Sequence, residues 1–458
     1  MTEPVGHSRR FLLLWVAQTV SLVGSHLTAF GLGVWVYQST QSTMMYSLVA
    51  LANLAPRVLF APLMGGFVDR RDLRSVLIAG HVGAGVCSVA IALLFFTGRL
   101  EVAAIIGLLT LAAVFNAIHL PAFSKATALL VPPEGLGKAN GLTQLGVALG
   151  YLVAPLMAGM LMPHIGVLGI LLIDLTTFVF AVAVLGGLRL IPFDTSVGTQ
   201  GHASDPLLFL RDAAEGWRYI RARRGLLVLL LLITAMSFNL GMIQLLITPL
   251  MLSFASVPVL SLVLFTGGMG MVVGSVAMMS WGGPRRRAQG VLGFLLLQGV
   301  FLLVGSLRPL APLVAAGAFG VLLTVPLITA CDQSIWQRLI PTEIHGRVMA
   351  VHSAVSGASV PVAYLLAGPL ADRVFEPWMM PGGLLAGSVG PLIGVGQGRG
   401  IGLIFAVLGF ATFLFVALAA LSSSLRRVED APAVPVASAP PAEDNPPALA
   451  KAAGSERS

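Results

Sequence analysis

Four ionisable side chains stand inside long apolar runs: Arg57, directly after Pro56, then His119, Asp174 and Asp332. A charge at bilayer depth is expensive, so such groups are paired, face water, or carry ions. Arg57 requires a carboxylate partner or a wet cavity. Asp174, then Asp332, then His119 are candidate proton carriers, because carboxylates and imidazoles exchange protons as their surroundings change. Structural readings stand beside each: a hydrogen-bonding role for Asp174, an interhelical bond for His119, and contact with the membrane interface for Asp332. Gln18, Ser21, Ser25 and Thr28 recur at helical spacing and put a polar stripe on one helix, and Asn116, Asn239 and Gln244 add amides elsewhere. No phosphate-binding loop, metal-ligand spacing or nucleophile elbow occurs, and the two cysteines, Cys87 and Cys331, lie in apolar runs. The chain therefore reads as neither an enzyme nor a metal or cofactor protein.

These groups must be positioned by membrane helices. Hydrophobic residues make up 57% of the 458 residues and charged residues 10%, with a mean hydropathy of +0.92. Soluble domains carry roughly 25% charged residues. A bilayer-crossing helix needs about 20 apolar residues. Twelve runs qualify: 11–36, 45–67, 74–97, 101–125, 139–162, 166–189, 226–252, 258–281, 289–307, 311–336, 347–371 and 400–423. No alternating barrel pattern occurs, so the class is an all-α membrane protein with twelve transmembrane helices. The first run is too long for a signal-peptide core and lacks a cleavage site.

Basic residues set the orientation. Of the 27 Lys and Arg, only Arg99, Arg308, Arg373 and Arg399 fall on one side and Arg57 within a span, which leaves 22 on the side of the N-terminus. The positive-inside rule makes that side cytoplasmic and puts both termini there. The net charge of +8 is thereby assigned to the membrane surface, and no nucleic-acid partner is expected. Residues 1–190 read as an N-terminal six-helix half and 226–424 as a C-terminal six-helix half. Between them, 191–225 is a cytoplasmic linker in which Ser204-Asp205-Pro206 starts an amphipathic helix. Its apolar stripe is Leu207, Leu210, Ala214, Trp217 and Tyr219/Ile220, which suits the inner membrane face. The Pro- and Ala-rich stretch 425–458 reads as a disordered cytoplasmic tail. The connection 373–399, with seven glycines and a Trp-Met-Met cluster, is expected to rest on the outer surface.

A shift of 209 residues lays Val131-Pro132-Pro133-Glu134 over Ile340-Pro341-Thr342-Glu343, and Gly137-Lys138 over Gly346-Arg347. Ala154, Leu156, Ala158, Gly159 and Leu161 then fall on Ala363, Leu365, Ala367, Gly368 and Leu370. Spans 5 and 11 are thus equivalent elements of duplicated halves. The loop Gly65-Gly66-Phe67-Val68-Asp69-Arg70-Arg71-Asp72-Leu73-Arg74 is echoed by Gly282-Gly283-Pro284-Arg285-Arg286-Arg287.

That loop resembles the most diagnostic motif of the major facilitator superfamily, with Asp72 at a usual glycine as in its macrolide-efflux-like, drug/proton antiporter branch. The resemblance implies the major facilitator fold, two pseudo-symmetric six-helix bundles, and a gate. Asp69, Arg70, Arg71 and Arg74 would make charge-assisted bonds across to the other half. Gly141, Gly150, Pro155 and Gly159 in span 5 resemble the antiporter motif of this superfamily, with alanine at two usual glycines. The bland alternative is small-residue packing. Trp15, Gln18, Ser21 and Gly24, and the run Gly368-Pro369-Leu370-Ala371-Asp372-Arg373-Val374-Phe375-Glu376-Pro377, resemble the same branch.

In this superfamily spans 1, 4, 7 and 10 line the central cavity, which would place Gln18, Ser21, Asn116, Asn239 and Gln244 on its wall. An otherwise apolar lining suits an amphipathic organic substrate. The expected function is secondary active export of an amphipathic drug or natural product across a bacterial cytoplasmic membrane, by alternating access and in exchange for protons. The expected partners are a small-molecule substrate, the proton and the lipid bilayer, and the expected state is a monomer. Uptake or facilitated diffusion of a small metabolite, or a transporter-like sensor, are the alternatives.

Overall fold

The computed structural model describes residues 5–69, 71–132, 135–188, 206–341, 343–422 and 425. Its helices are α1 (Val5–Thr40), α2 (Thr43–Asp69), α3 (Leu73–Phe96), α4 (Val102–Asn116), α5 (His119–Leu130), α6 (Leu136–Gly187), α7 (Pro206–Ala222), α8 (Arg224–Leu252), α9 (Val257–Trp281), α10 (Arg287–Ser306), α11 (Ala311–Leu339), α12 (His345–Pro369), α13 (Glu376–Met379), α14 (Gly390–Ile393) and α15 (Arg399–Leu421). No strand occurs among the described residues. Arg70 and the expected tail after 425 lie outside the described residues, as do residues 189–205 of the linker.

Among the described residues, eleven helical runs are long and apolar enough to cross a membrane, and one of them spans Lys138–Gly187. At about 1.5 Å per residue this run is more than twice the ~30 Å hydrocarbon thickness. It turns at Gly166, whose φ of 63° and ψ of −172° leave the helical region; a side chain there would be strained. The neighbours of α1 prove the reversal. Along α1, Trp15 bonds the carbonyl of Leu142, Thr19 meets Gly146, and Leu22 and His26 meet Gly150. On the other limb Gly24 meets Asp174 and Thr177, whereas the later Gly31 meets Ile170. One limb ascends as the other descends, so α6 crosses twice and the passes number twelve.

Two boundaries depart from expectation for physical reasons. The fourth pass runs to Leu130, not 125, and breaks between α4 and α5. Pro121 is the third residue of α5; it cannot donate to the carbonyl of Ala117 and its ring crowds that carbonyl. The eleventh pass continues through a π-helical turn, Leu370–Phe375, beyond Pro369. The connection after it is folded, not laid on the surface: Met379 and Ile393 are buried against Leu403 and Ala406 of α15.

The short turns at 41–42, 97–101, 253–256 and 307–310 share one end with 380–398, and the opposite end, the basic face, carries Arg71, Arg74, Arg285, Arg286 and Arg347. Away from the basic face the two halves share a core: Val34 joins Leu246, Leu250, Ala363 and Ala367, with Phe30, Tyr46, Ala50 and Met162 packed on it. Toward the basic face the cores are separate. One holds Phe11, Leu14, Leu77, Phe123 and Leu185 of the first half; the other holds Leu226, Ile233, Ile335, Trp336 and Val348 of the second. The halves therefore meet at one end and part toward the other.

Small residues make the shared end possible, because lipid offers no hydrophobic gain for helix association and close van der Waals contact must supply it. Gly159 lies against Ser261 and Pro258, and Gly368 against Met44 and Ser47. We expect Gly368→Ala to force its methyl onto the α2 backbone and to destabilise by about 1–3 kcal/mol. Gly357→Ala, with open space at its Cβ, should be neutral or gain a few tenths of a kcal/mol from helix propensity. Thermal unfolding of both variants in detergent checks this; equal midpoints would refute the packing argument.

Candidate functional site: polar groups between the helices

The cleft between the halves is traced by one amide and two phenols. From Gly241 to Met251 every residue of α8 is buried except Gln244, so Gln244 marks where that helix meets open space. Its Oε1 lies 3.5 Å from Tyr364 Oη of α12. Tyr364 stands beside Tyr46 of α2 and Tyr151 of α6, which brings both halves together. Tyr46, Ala50 and Arg57 lie on one face of α2, since eleven residues make about three turns. Tyr46 and Ala50 sit against the shared core, so Arg57 faces the cleft about three turns closer to the basic face. Tyr151 and His26 are its neighbours, and the His26 and Tyr151 rings meet edge-on at 4.8 Å. Arg57 Nε is buried without a hydrogen-bond partner, and among the described residues no carboxylate pairs with it.

A second cluster lies inside the first half. His81 of α3 is held at both ring nitrogens, by Gln18 Nε2 at 3.0 Å and Ser21 Oγ at 3.2 Å. His119 stacks against it with ring centroids 4.2 Å apart. The interhelical bond expected of His119 is not made: both its ring nitrogens are buried and unpartnered. Gly80 lies against that ring, and His119 starts α5 directly after the break before Pro121. Asp174, 1% exposed, accepts from Thr28 Oγ1 at 2.9 Å and Ser88 Oγ at 3.3 Å, tying α6 to α1 and α3. Ser21 thus turns into the first half, not onto a cavity wall, and Gln18 is likewise engaged with His81.

The third cluster is in the second half. Asp332 of α11 is buried. It accepts from Trp336 Nε1 at 2.8 Å and stands 3.2 Å from His352 Nε2 of α12. Both border a cavity of about 270 Å³ with Ser237, Thr329, Gln333, Met349, Ser353 and Ser356. Asn239 points elsewhere, donating to Thr412 Oγ1 of α15 at 2.9 Å. Asn116 ends α4 half-buried. His26, His81, Tyr151 and His352 were not singled out in the sequence; the same cost of a polar ring at membrane depth that flagged His119 applies to all three histidines.

Known proteins supply the frame for this geometry. The sequence model of the Major Facilitator Superfamily matches residues 14–364. The chain belongs to the Major Facilitator Superfamily. Macrolide efflux protein A of Streptococcus pyogenes is 26% identical over 383 residues, covering 82% of this chain and 93% of that protein. The multidrug efflux pump Tap of Mycobacterium bovis is 27% identical over 390 residues, covering 79% and 87%. Among solved structures, a bacterial homologue of the human lysosomal transporter Spinster, in an inward-facing and unoccupied conformation, matches at a TM-score of 0.69 and 14% identity, over 93% of this chain and 99% of that one. A point mutant of the nucleoside transporter NupG matches at 0.66 and 12%, over 90% and 100%. The chain is thus a multi-pass membrane transporter of the twelve-helix facilitator fold acting on a small molecule.

The superfamily's loop motif is engaged within the first half. Arg74 Nε donates to the Leu185 carbonyl at 3.0 Å and its Nη2 to that of Gly186, closing the C-terminal end of α6. Arg71 stands over the Phe67 ring at 5.9 Å. The Asp69 side chain and Arg70 lie outside the described residues. Asp72, the departure from the usual glycine, caps α3 by accepting from Ser75 N at 2.9 Å and Ser75 Oγ at 2.7 Å, bonds that hold its carboxyl below the usual carboxylate range. In the span-5 motif Gly150 receives His26 and Leu22, Gly159 receives the second half, Gly141 meets nothing within 4 Å, and Pro155 lies inside α6.

Because Thr28 and Ser88 are its two donors, Asp174→Asn should keep at least part of that bonding, whereas Asp174→Leu should strand both hydroxyls and cost about 1–3 kcal/mol. Thermal midpoints of the two variants compare them; equal loss in both would show that charge, not hydrogen bonding, matters at this position.

Proposed function

We propose that the chain exports an amphipathic drug or natural product across a bacterial cytoplasmic membrane, in exchange for protons and by alternating access. The basic face is the cytoplasmic one, by the positive-inside rule, and both termini lie there. The observation that carries this reading is the cleft, sealed at the opposite face by a core shared between the halves and parting toward the basic face. A substrate enters such a cleft from the cytoplasm. The relatives' names, macrolide efflux protein and multidrug efflux pump, supply the direction. Above the cleft the shared core presents Phe30, Tyr46, Met162, Leu246 and Leu250, which suits an apolar body with few polar groups.

Asp332 and His352 are the proton site in this reading. Among Asp174, Asp332 and His119, Asp332 is the one that borders a cavity and has a titratable partner. Asp174 serves as an internal tie, with two hydroxyl donors. When the halves rock, Asp69, Arg70, Arg71 and Arg74 would gate the basic face, with Arg74 already seated at the end of α6.

Everted vesicles energised acid-inside should accumulate a lipophilic substrate, and a protonophore should abolish accumulation. Asp332→Asn should remove the proton-driven component and leave counterflow exchange, while Asp174→Asn should retain at least half of it. Accumulation that follows sodium, or that survives collapse of the gradient, would sink proton exchange. For orientation, cysteines at Thr40, His164 and Gly387 should react with an impermeant thiol reagent added outside whole cells, and cysteines at Asp72 and Thr199 should not. Labelling at Thr199 would invert the assignment.

A further inference from the structure

Among the described residues, Arg57 is a cleft-facing cation that the export reading leaves unexplained. It lies in the middle of α2, on the face that carries Tyr46 and Ala50 into the shared core. Its Nε is buried and unpartnered, and among the described residues no carboxylate or carbonyl accepts from the guanidinium. Its neighbours, Tyr151, His26 and His119, include no fixed anion. A cation held this way in lipid surroundings is costly unless something completes it. Other buried charged groups have at least one partner from within: Asp174 Oδ2 has Thr28 and Ser88, Asp332 has Trp336 and His352, and Arg399 has the Ile393 carbonyl, although Asp174 Oδ1 and Arg399 Nη2 are, like Arg57 Nε, buried without one. Guanidinium is a planar fork that fits a carboxylate or phosphate with two parallel bonds. Tyr151, next to it, is largely exposed, and it reaches toward Tyr364 of the opposite half. The arrangement is a fixed positive charge walled by aromatic rings, at the depth where the halves converge.

We infer that Arg57, flanked by Tyr151 and His26, receives an acidic group of the transported molecule, so that the substrate class is an anionic amphiphile: one carboxylate or phosphate on an apolar body. The inference rests on the cleft of the export reading but not on direction or energy source. The apolar body lies among the Tyr46, Tyr151 and Tyr364 rings, and Gln244 supplies a further polar contact from the second half. Occupancy would then bridge the halves through the ligand, as a transporter's substrate must if it is to drive their closure.

Fluorescence titration of the full-length protein in phosphatidylcholine nanodiscs tests this with 11-(dansylamino)undecanoate and its uncharged primary amide. The carboxylate should bind the wild type about tenfold to a hundredfold more tightly than the amide. Arg57→Gln and Arg57→Met should abolish that preference while leaving amide affinity within about threefold, which also shows that the variants are folded. Arg57→Lys should keep part of it. Acetate, the same anion without the apolar body, should not displace the probe at concentrations where dodecanoate does. Equal binding of carboxylate and amide by the wild type, no saturable carboxylate binding, a preference that survives in either neutral variant, or displacement by acetate as effective as by dodecanoate would each overturn the inference. The titration needs no gradient. Binding through Arg57 without accumulation in everted vesicles would refute export alone, and accumulation of a lipophilic substrate without carboxylate preference would refute the anionic site alone.

Discussion

The closed end of the cleft depends on how near two pairs of helices can come. In lipid, separated helices are already solvated by hydrocarbon, so association gains only what contact and hydrogen bonding supply. Gly159 admits Ser261 and Pro258, and Gly368 admits Met44 and Ser47. These two glycines correspond under the 209-residue repeat, so the duplicated halves make the same contact twice, once from each side. One further bond set crosses the seam without a repeat counterpart. Asp372 accepts from Ser42 Oγ at 2.8 Å, Thr43 N at 3.1 Å and Met44 N at 2.8 Å. A carboxylate there meets the orphan amides and positive end of α2. Close packing and this cap together fix which end is shut, and the parting toward the basic face follows geometrically.

Elsewhere the polar groups divide by whether their partners lie in the same half. Gln18, Ser21 and His81 bond within the first half, as do Asp174, Thr28 and Ser88. Asn239 with Thr412, and Asp332 with Trp336 and His352, bond within the second. Such bonds are retained whichever way the halves tilt, so they define rigid bodies. Contacts that must break on tilting are concentrated at the seam: Asp372, the Gln397–Gln41 pair at 3.0 Å, and the two glycine approaches. Arg57 belongs to neither set.

Hydropathy and the repeat made the twelve passes and their pairing legible because both signals are local in sequence. The repeat laid Gly159 over Gly368 in sequence, and in the structure each lies against a helix of the opposite half. What could not be read was which neighbour a polar residue faces. Ser21 and Asn239 have the spacing of cavity residues, yet each turns to a hydroxyl or imidazole on another helix of its own half, a choice set by helix rotation. The bend at Ala117 was readable from Pro121 but was outweighed by an unbroken apolar run. The double pass of α6 was legible as two apolar runs, 139–162 and 166–189, on either side of the turn now seen at Gly166. His81 and His352 became significant only once Gln18, Ser21 and Asp332 stood beside them.

The linker helix α7 shows how one half can carry more than its own span count. Amphipathic patterning suggested a stripe through Ala214 and Trp217 lying on the membrane, and both are exposed on the protein surface. The docked face is instead Ala213, Gly216, Tyr219 and Ile220, and Leu207 and Leu210 have side chains outside the described residues. Gly216 lies against the backbone of Arg347, Tyr219 Oη donates to the Leu339 carbonyl at 2.7 Å, and Ile220 is fully buried in the core of the second half. Arg347 also pairs with Asp212 at 3.0 Å and Glu215 at 2.8 Å. Those side chains are 37–48% exposed, so each ion pair contributes at most about 1 kcal/mol and orients more than it anchors. Burial of Ile220 and the Tyr219 bond hold the helix, and they hold it to the second half. The helix must therefore travel with the second half.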